Sequence, residues 1–199
     1  QNVIGEIVLF ASANLVGQTV KDVDLFVLGT LQNYELNLEF ISDDDSYVKD
    51  KVSINSFCTV IEIKSHGIDA ISRVGTDFYV KYGKTKHCVT EQSNNQKTSA
   101  MNFFKRTLSF SPFITNLIWF TEVSRDDLNT LLKVETKEMP ANILAKDFKF
   151  ADLIQLLVWQ RKPYHAGRIY RFDSNYGNCS VSDFQKALDM FTRVKATMG

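Results

Sequence analysis

The apolar and polar positions of the chain change period several times. "NVIGEIVLFASANL" carries apolar residues at Val3, Ile4, Ile7, Val8, Phe10, Ala11 and Leu15. That spacing is nearer to helical than to alternating and predicts a first helix ending near Gly17. From Val20 to Leu28 a β-branched and aromatic run predicts a strand that stops at Gly29. "NYELNLEFI" alternates, with Tyr34, Leu36, Leu38 and Phe40 on one face, and predicts a second, half-exposed strand before the acidic turn "SDDDS". Phe57 to Ile63 is apolar throughout except at Thr59 and Glu62, the pattern of a central strand covered on both faces.

"DFYVKYGKTKHCVTEQ" predicts a hairpin turning at Gly83 and Lys84. "SNNQKTSAMNFFKRTLSF" then turns helical, grouping Ala100, Phe103, Phe104 and Leu108 on one face. "FITNLIWFTEV" reads as a further buried strand, and "SRDDLNTLLKVE" as a helix with Ser124 as N-cap and Asp127 three residues on, a short-acid form of the capping box. "DFKFADLIQLLVWQRKP" predicts an amphipathic helix stopped by Pro163, expected to pack against the sheet. One more helix, capped by Ser182 or Asp183, is predicted at the end.

This order of elements predicts an α/β fold with a central mixed β-sheet flanked by helices. The length, 199 residues, suits one sizeable core. Residues 1–147 are expected to form it, and 148–199 a C-terminal helical extension that packs on the core or links to a further domain. The chain lacks an initiator methionine and is expected to be part of something longer. Acids and bases balance at 23 each, so any charge signal must be local. Cys58, Cys88 and Cys179 are odd in number and lack metal-type spacing, which predicts reduced thiols in a cytoplasmic protein. No apolar run approaches the roughly 18 residues needed to span a bilayer.

Two charges interrupt the most apolar strand. Side chains alternate along a strand, so Glu62 and Lys64 in "VIEIKSHG" point the same way, with Cα atoms about 7 Å apart. Taken alone, they are explained by a cross-strand ion pair. Asp24, inside the first predicted strand, also needs a cation or donors if it is buried. Were the strands of Asp24 and Glu62 neighbours, two carboxylates would converge and repel unless a divalent cation neutralised them. Mg²⁺, which takes oxygen ligands and keeps waters, suits such a pair. A lysine beside it would offset charge developing on a phosphate.

"VDLFVLG" followed by "VIEIKSHG" resembles the D…ExK core of the PD-(D/E)XK nuclease superfamily. "GE" at Gly5 and Glu6, "DVD", "IEIK" followed by His66 and Gly67, and "NNQ" leading a helix with Asn102 further on resemble its nuclease-related domain (NERD) branch. The resemblance runs from about Gly5 to Leu108. It implies a restriction-endonuclease-like core and a Mg²⁺- or Mn²⁺-dependent nuclease acting on DNA, with RNA open. Asp24 and Glu62 would be metal ligands, with Ile63 as a further metal contact, and Lys64 the catalytic lysine. Glu6 would contact Lys64 or a metal-bound water, and Gln96 would lie near the attacking water or the backbone of the DNA, with Gln92 competing for that place. It also implies a helicase or ATPase partner domain or subunit in a defence or DNA-processing system. A nuclease-like scaffold that binds DNA or a protein without cutting is the other reading. The chain departs from the pattern in the long acidic hairpin between Asp24 and Glu62, which leaves Asp22 as a rival to Asp24. It departs again at Asn94 and Asn95, where asparagine-proline is usual.

Local charge adds to this picture. From Glu62 to Arg106 eight basic residues stand against four acidic ones, while Glu35 to Asp50 holds six acids and Lys49. A basic side near the site suits a phosphate backbone. His66 could contact phosphate or be merely solvated. Tyr79, Tyr82, Phe103 and Phe104 could stack on bases or belong to the core.

Overall fold

A computed structural model describes residues 4–15, 17–20, 22–41, 47–108, 113–132 and 142–160, together with 186 and 189. The acidic turn at 42–46, Cys179 and nearly all of the predicted last helix lie outside the described residues. Within them the fold is α/β. Strands β1 (Ile4–Asn14), β2 (Asp22–Ile41), β3 (Tyr47–Lys64), β7 (Ile114–Phe120) and β8 (Ile143–Leu144) form one sheet in that order. The first three are antiparallel, and β7 and β8 join in parallel, so the sheet is mixed with β3 at its centre. A second, three-stranded sheet holds β4 (Ile71–Val74), β5 (Asp77–Tyr82) and β6 (Thr85–Cys88). Helices are α1 (Val89–Leu108), α2 (Arg125–Leu132) and α3 (Phe150–Gln160). No helix among the described residues is long and apolar enough to cross a membrane.

The alternation of β2 and β3 divides the core by face. Phe26 and Leu28 on β2, with Cys58 and Val60 on β3, pack under Ala100, Phe103 and Phe104 of α1. The opposite face, with Val27, Leu31, Ile61 and Leu117, packs under Leu153, Ile154 and Leu157 of α3. Helix α3 is therefore a covering layer of the sheet. The small sheet and α2 close a third cluster around Phe78, Val80, Phe120 and Leu128. At the edge of β7, before β8 begins, the Gln160 side chain accepts from the Asn116 backbone N–H at 3.1 Å and donates to the Asn116 carbonyl at 2.8 Å.

Five predicted elements are corrected. The first helix is the edge strand β1: Val8 and Phe10 pack on the α1 side while Ile7 and Leu9 stand exposed on the other. Apolar residues on both faces of a strand imitate helical spacing, and pairing with β2 decides the outcome. The second correction concerns Gly29, which does not end its strand. It lies opposite Phe57, whose ring covers it so closely that an added Cβ would sit 2.2 Å from a ring carbon. The phenyl ring supplies the packing that a strand glycine lacks. The two predicted strands are thus one strand, β2, with an irregularity between Thr30 and Tyr34, and β3 begins at Tyr47, ten residues before Phe57. Helix α1 likewise begins at Val89, so Asn94, Asn95 and Gln96 lie on its second turn and do not lead it.

The hairpin at Gly83 and Lys84, the buried strand β7 and the cap of α2 follow the sequence pattern. Ser124 Oγ accepts from the Asp127 N–H at 3.2 Å and donates to Asp127 Oδ2 at 2.5 Å.

Candidate active site

Where β3 runs out under the first half of α1, the interface between them changes from apolar to polar. Cys58 and Val60 meet Ala100, Phe103 and Phe104. Two and four residues further along the same face of β3 come Glu62 and Lys64, 1% and 7% exposed. One and two turns before Ala100 on α1 come Gln96 and Gln92. Gln96 Nε2 donates to Glu62 Oε2 at 2.5 Å, and Lys64 Nζ donates to Gln92 Oε1 at 3.3 Å. Lys64 Nζ and Glu62 Oε1 form an ion pair. The two candidate glutamines are therefore both present, Gln96 on the carboxylate and Gln92 on the ammonium.

Asp24 reaches this pair across the sheet. The β2–β3 ladder ends at Leu25 and Ile61, and one further step sets Asp24 opposite Glu62. There the Ile63 N–H donates to Asp24 Oδ2 at 2.9 Å, so a carboxylate takes the place of a backbone partner. On the other side, pairing of β1 and β2 skips Ser12, between Ala11↔Leu25 and Ala13↔Val23. Ser12 has φ 52°, the one positive φ at a non-glycine among the described residues. Such a conformation costs of order 1–3 kcal/mol and persists where its surroundings hold it. Asp24 thus stands at a place where the sheet opens on both sides. Asp22, its rival, is exposed and accepts from Asn14 Nδ2 at 3.2 Å.

Burial pushes the Glu62 carboxyl above the usual carboxylate range, and the charge of Asp24 adds to that push. Lys64 and the Gln96 amide pull the other way without reversing it. For Lys64, burial works to lower the pKa, but pairing with Glu62 and contact with Tyr82 outweigh it and hold the ammonium above its ordinary value.

The donor set suits a hard divalent cation that keeps part of its water. Asp24 and Glu62 offer carboxylate oxygens from adjacent strands, and their mutual repulsion, felt in the raised Glu62, is what a cation would relieve. Ile63 can offer only its main-chain carbonyl. Gln96 Oε1 is buried and without a hydrogen-bond partner among the described residues. No cluster of three or more His, Cys, Asp or Glu side chains occurs among the described residues. Two carboxylates, a carbonyl and retained waters fit Mg²⁺, whereas a fully protein-built cage is absent there.

Not every predicted residue comes to this place. Glu6 is exposed on β1 opposite Thr30, six residues along β2 from Asp24, or about 20 Å at strand rise. It does not join the site, because its segment is a strand and not a helix folded over the sheet. Phe103 and Phe104 are core residues. The half-buried Tyr79 points, by alternation, away from the strand face of Phe78, Val80 and Tyr82. His66 and Tyr82 do lie beside Lys64, with ring centroids 4.6 Å apart and Lys64 Nζ 5.8 Å from the Tyr82 centroid.

Sequence reasoning missed the polar contacts that seat the first half of α1. Asn116 Nδ2 donates to Ser93 Oγ and Asn94 Oδ1, both at 3.0 Å, and Thr90 Oγ1 accepts from the Phe78 N–H at 2.8 Å. An asparagine within the apolar run "ITNLIWF" was the available signal for the first of these. Ser12 had none, since its conformation falls where the pairing of β1 and β2 is interrupted. Cys58 is buried and Cys88 half-buried.

Compared with models of known protein families, with curated proteins and with solved structures, the chain matches none of them.

Proposed function

We propose that this domain is a metal-dependent nuclease that hydrolyses phosphodiester bonds of DNA, with Asp24, Glu62 and Lys64 as its working groups. One observation carries the reading. A half-buried and a buried carboxylate from adjacent strands and a buried lysine come together where an apolar interface would have been easier to build. Asp24 and Glu62, with the carbonyl of Ile63, would hold the cation. The chemistry Mg²⁺ supplies when bound is polarisation of the phosphate and a lowered pKa for its water. Lys64, kept protonated, would stabilise the charge that builds on the phosphate oxygens. Gln92 and Gln96 hold the lysine and the glutamate in place before substrate arrives. Following the resemblance of the sequence, the domain would serve as a module of a larger defence or DNA-processing assembly, and that part is analogy.

A second reading is favoured by the same geometry. Both Glu62 oxygens are already engaged, one by Lys64 and one by Gln96, as in a site that has settled into a structural ion pair. The domain would then be a nuclease-like scaffold that binds DNA or a protein without cutting. Incubation of the purified chain with plasmid and linear DNA, in Mg²⁺ or Mn²⁺ and then in chelator, separates the two. Cleavage that needs the metal and disappears in Glu62→Ala and Lys64→Ala supports the nuclease. Equal activity in those variants would sink the assignment, and metal-independent binding without product favours the scaffold.

A further inference from the structure

Beside Lys64 stands a group of rings that the phosphate chemistry leaves unused. Tyr82 ends β5 on the strand face that carries Phe78 and Val80 into the core. At position 82 the core has ended, and the tyrosine is 40% exposed. Its ring is nonetheless fixed. His66 packs against it at 4.6 Å and 75°, His87 at 5.1 Å and 90°, and Lys64 Nζ lies 5.8 Å from its centroid. His87 pairs with Val80 across the hairpin and therefore shares the face of Tyr82. Nδ1 of His66 is buried and lacks a hydrogen-bond partner among the described residues. The small sheet that carries Tyr82 and His87, residues 71–88, has four basic residues against one acid.

An exposed aromatic ring ordinarily loses side-chain freedom when it binds something, and this one has already been ordered by its neighbours. It stands next to the ammonium that would face a phosphate. A nucleotide presents a phosphate and a flat π face within one residue of its chain. In a duplex that face is stacked and out of reach, whereas an unpaired base offers it to any aromatic side chain. The basic residues of the small sheet would attract the backbone of either form, so what separates single strand from duplex is the base face.

We propose that Tyr82, held upright by His66 and His87, is the platform for an unpaired base of a single-stranded nucleic acid whose adjoining phosphate lies toward Lys64. This rests on the nuclease reading for the role of Lys64, but it concerns binding and is tested without cleavage. The full chain is titrated in chelator against a fluorescent 12-nucleotide DNA strand and against the duplex of the same sequence, followed by anisotropy.

Wild type is expected to prefer the single strand. Tyr82→Ala should weaken single-strand binding about 10-fold, the loss of one stacked base, with little change for the duplex. Tyr82→Phe should keep the affinity, because it keeps the ring. Tyr82→Leu retains bulk without a π face and serves if the alanine variant fails to fold; it should show the same loss. Unchanged single-strand affinity in Tyr82→Ala and Tyr82→Leu, an equal loss on both forms, or a wild-type preference for duplex would each overturn the proposal. Metal-dependent cleavage with unaltered binding in the Tyr82 variants removes the platform alone. Selective loss of single-strand binding in a protein that never cuts removes the nuclease and leaves the platform.

Discussion

Helix α1 meets the sheet along one stripe, and the two ends of that stripe have opposite chemistry. At the C-terminal end Phe103 and Phe104 pack on Phe26, Leu28 and Val60, with the Phe26 and Phe104 rings stacked at 5.5 Å. Two and three turns earlier, Gln96 and Gln92 face Glu62 and Lys64. Helix, strand and sheet face are the same, and burial is nearly as deep. The apolar end stabilises the fold by removing hydrocarbon from water. The polar end must repay the desolvation of two charges and gains little over well-packed apolar residues. On the nuclease reading proposed above, that end is chemistry placed on a scaffold that the other end holds together.

The contrast can be broken first at its apolar end. Phe104→Ala should cost about 3–5 kcal/mol, read as a lower urea midpoint, with cleavage per folded molecule retained. At the polar end, Lys64→Met leaves Glu62 without its cation and should cost about 3 kcal/mol, whereas joint replacement as Glu62→Leu with Lys64→Met should be neutral or stabilising by about 1–4 kcal/mol. On the nuclease reading both should abolish cleavage. A double variant as unstable as the single one would mean that the pair contributes to stability in its own right.

A smaller effect concerns pH. Glu62 has a folded pKa above the ordinary 4.5, so between that value and its raised one the folded state binds more protons than the unfolded. Its contribution to stability is complete below 4.5 and is lost as pH rises through the folded pKa. Urea titrations in chelator from pH 4 to 7 (about three pH units) should show this fall in wild type, relative to Glu62→Gln. A wild type that loses stability relative to Glu62→Gln as the pH is lowered would reverse the assigned cause. Smallest of all, Glu6→Gln should change stability by no more than about 0.5 kcal/mol and leave cleavage as it was, since the residue is exposed and far from Asp24. Loss of activity there would bring β1 into the site.

Much of this was legible in the sequence. The two-residue spacing of Glu62 and Lys64 put them on one face, and the strand pattern around Asp24 and Glu62 allowed adjacency, because period and β-propensity act locally. Helix α1 and the β5–β6 hairpin carried signals of their own. What escaped depends on partners distant in the chain. A glycine ends a strand unless a phenylalanine 28 residues on covers it, as Phe57 does for Gly29. An apolar run with no clean period waits for a neighbour, and β1 found β2. Choice between Gln92 and Gln96 was unneeded, since a helix turn separates them and two charges a strand step apart engage both.

The Gln160 side chain at the edge of β7 also matters beyond the fold of its own chain. A side-chain amide carries the donor and acceptor of a peptide bond, and here both are matched to the two backbone groups of Asn116. It is in effect a one-residue strand, contributed by a helix, that completes the sheet where β8 has not yet begun. An unpaired edge at that point would offer a template to another chain, and a single glutamine closes it against intermolecular growth.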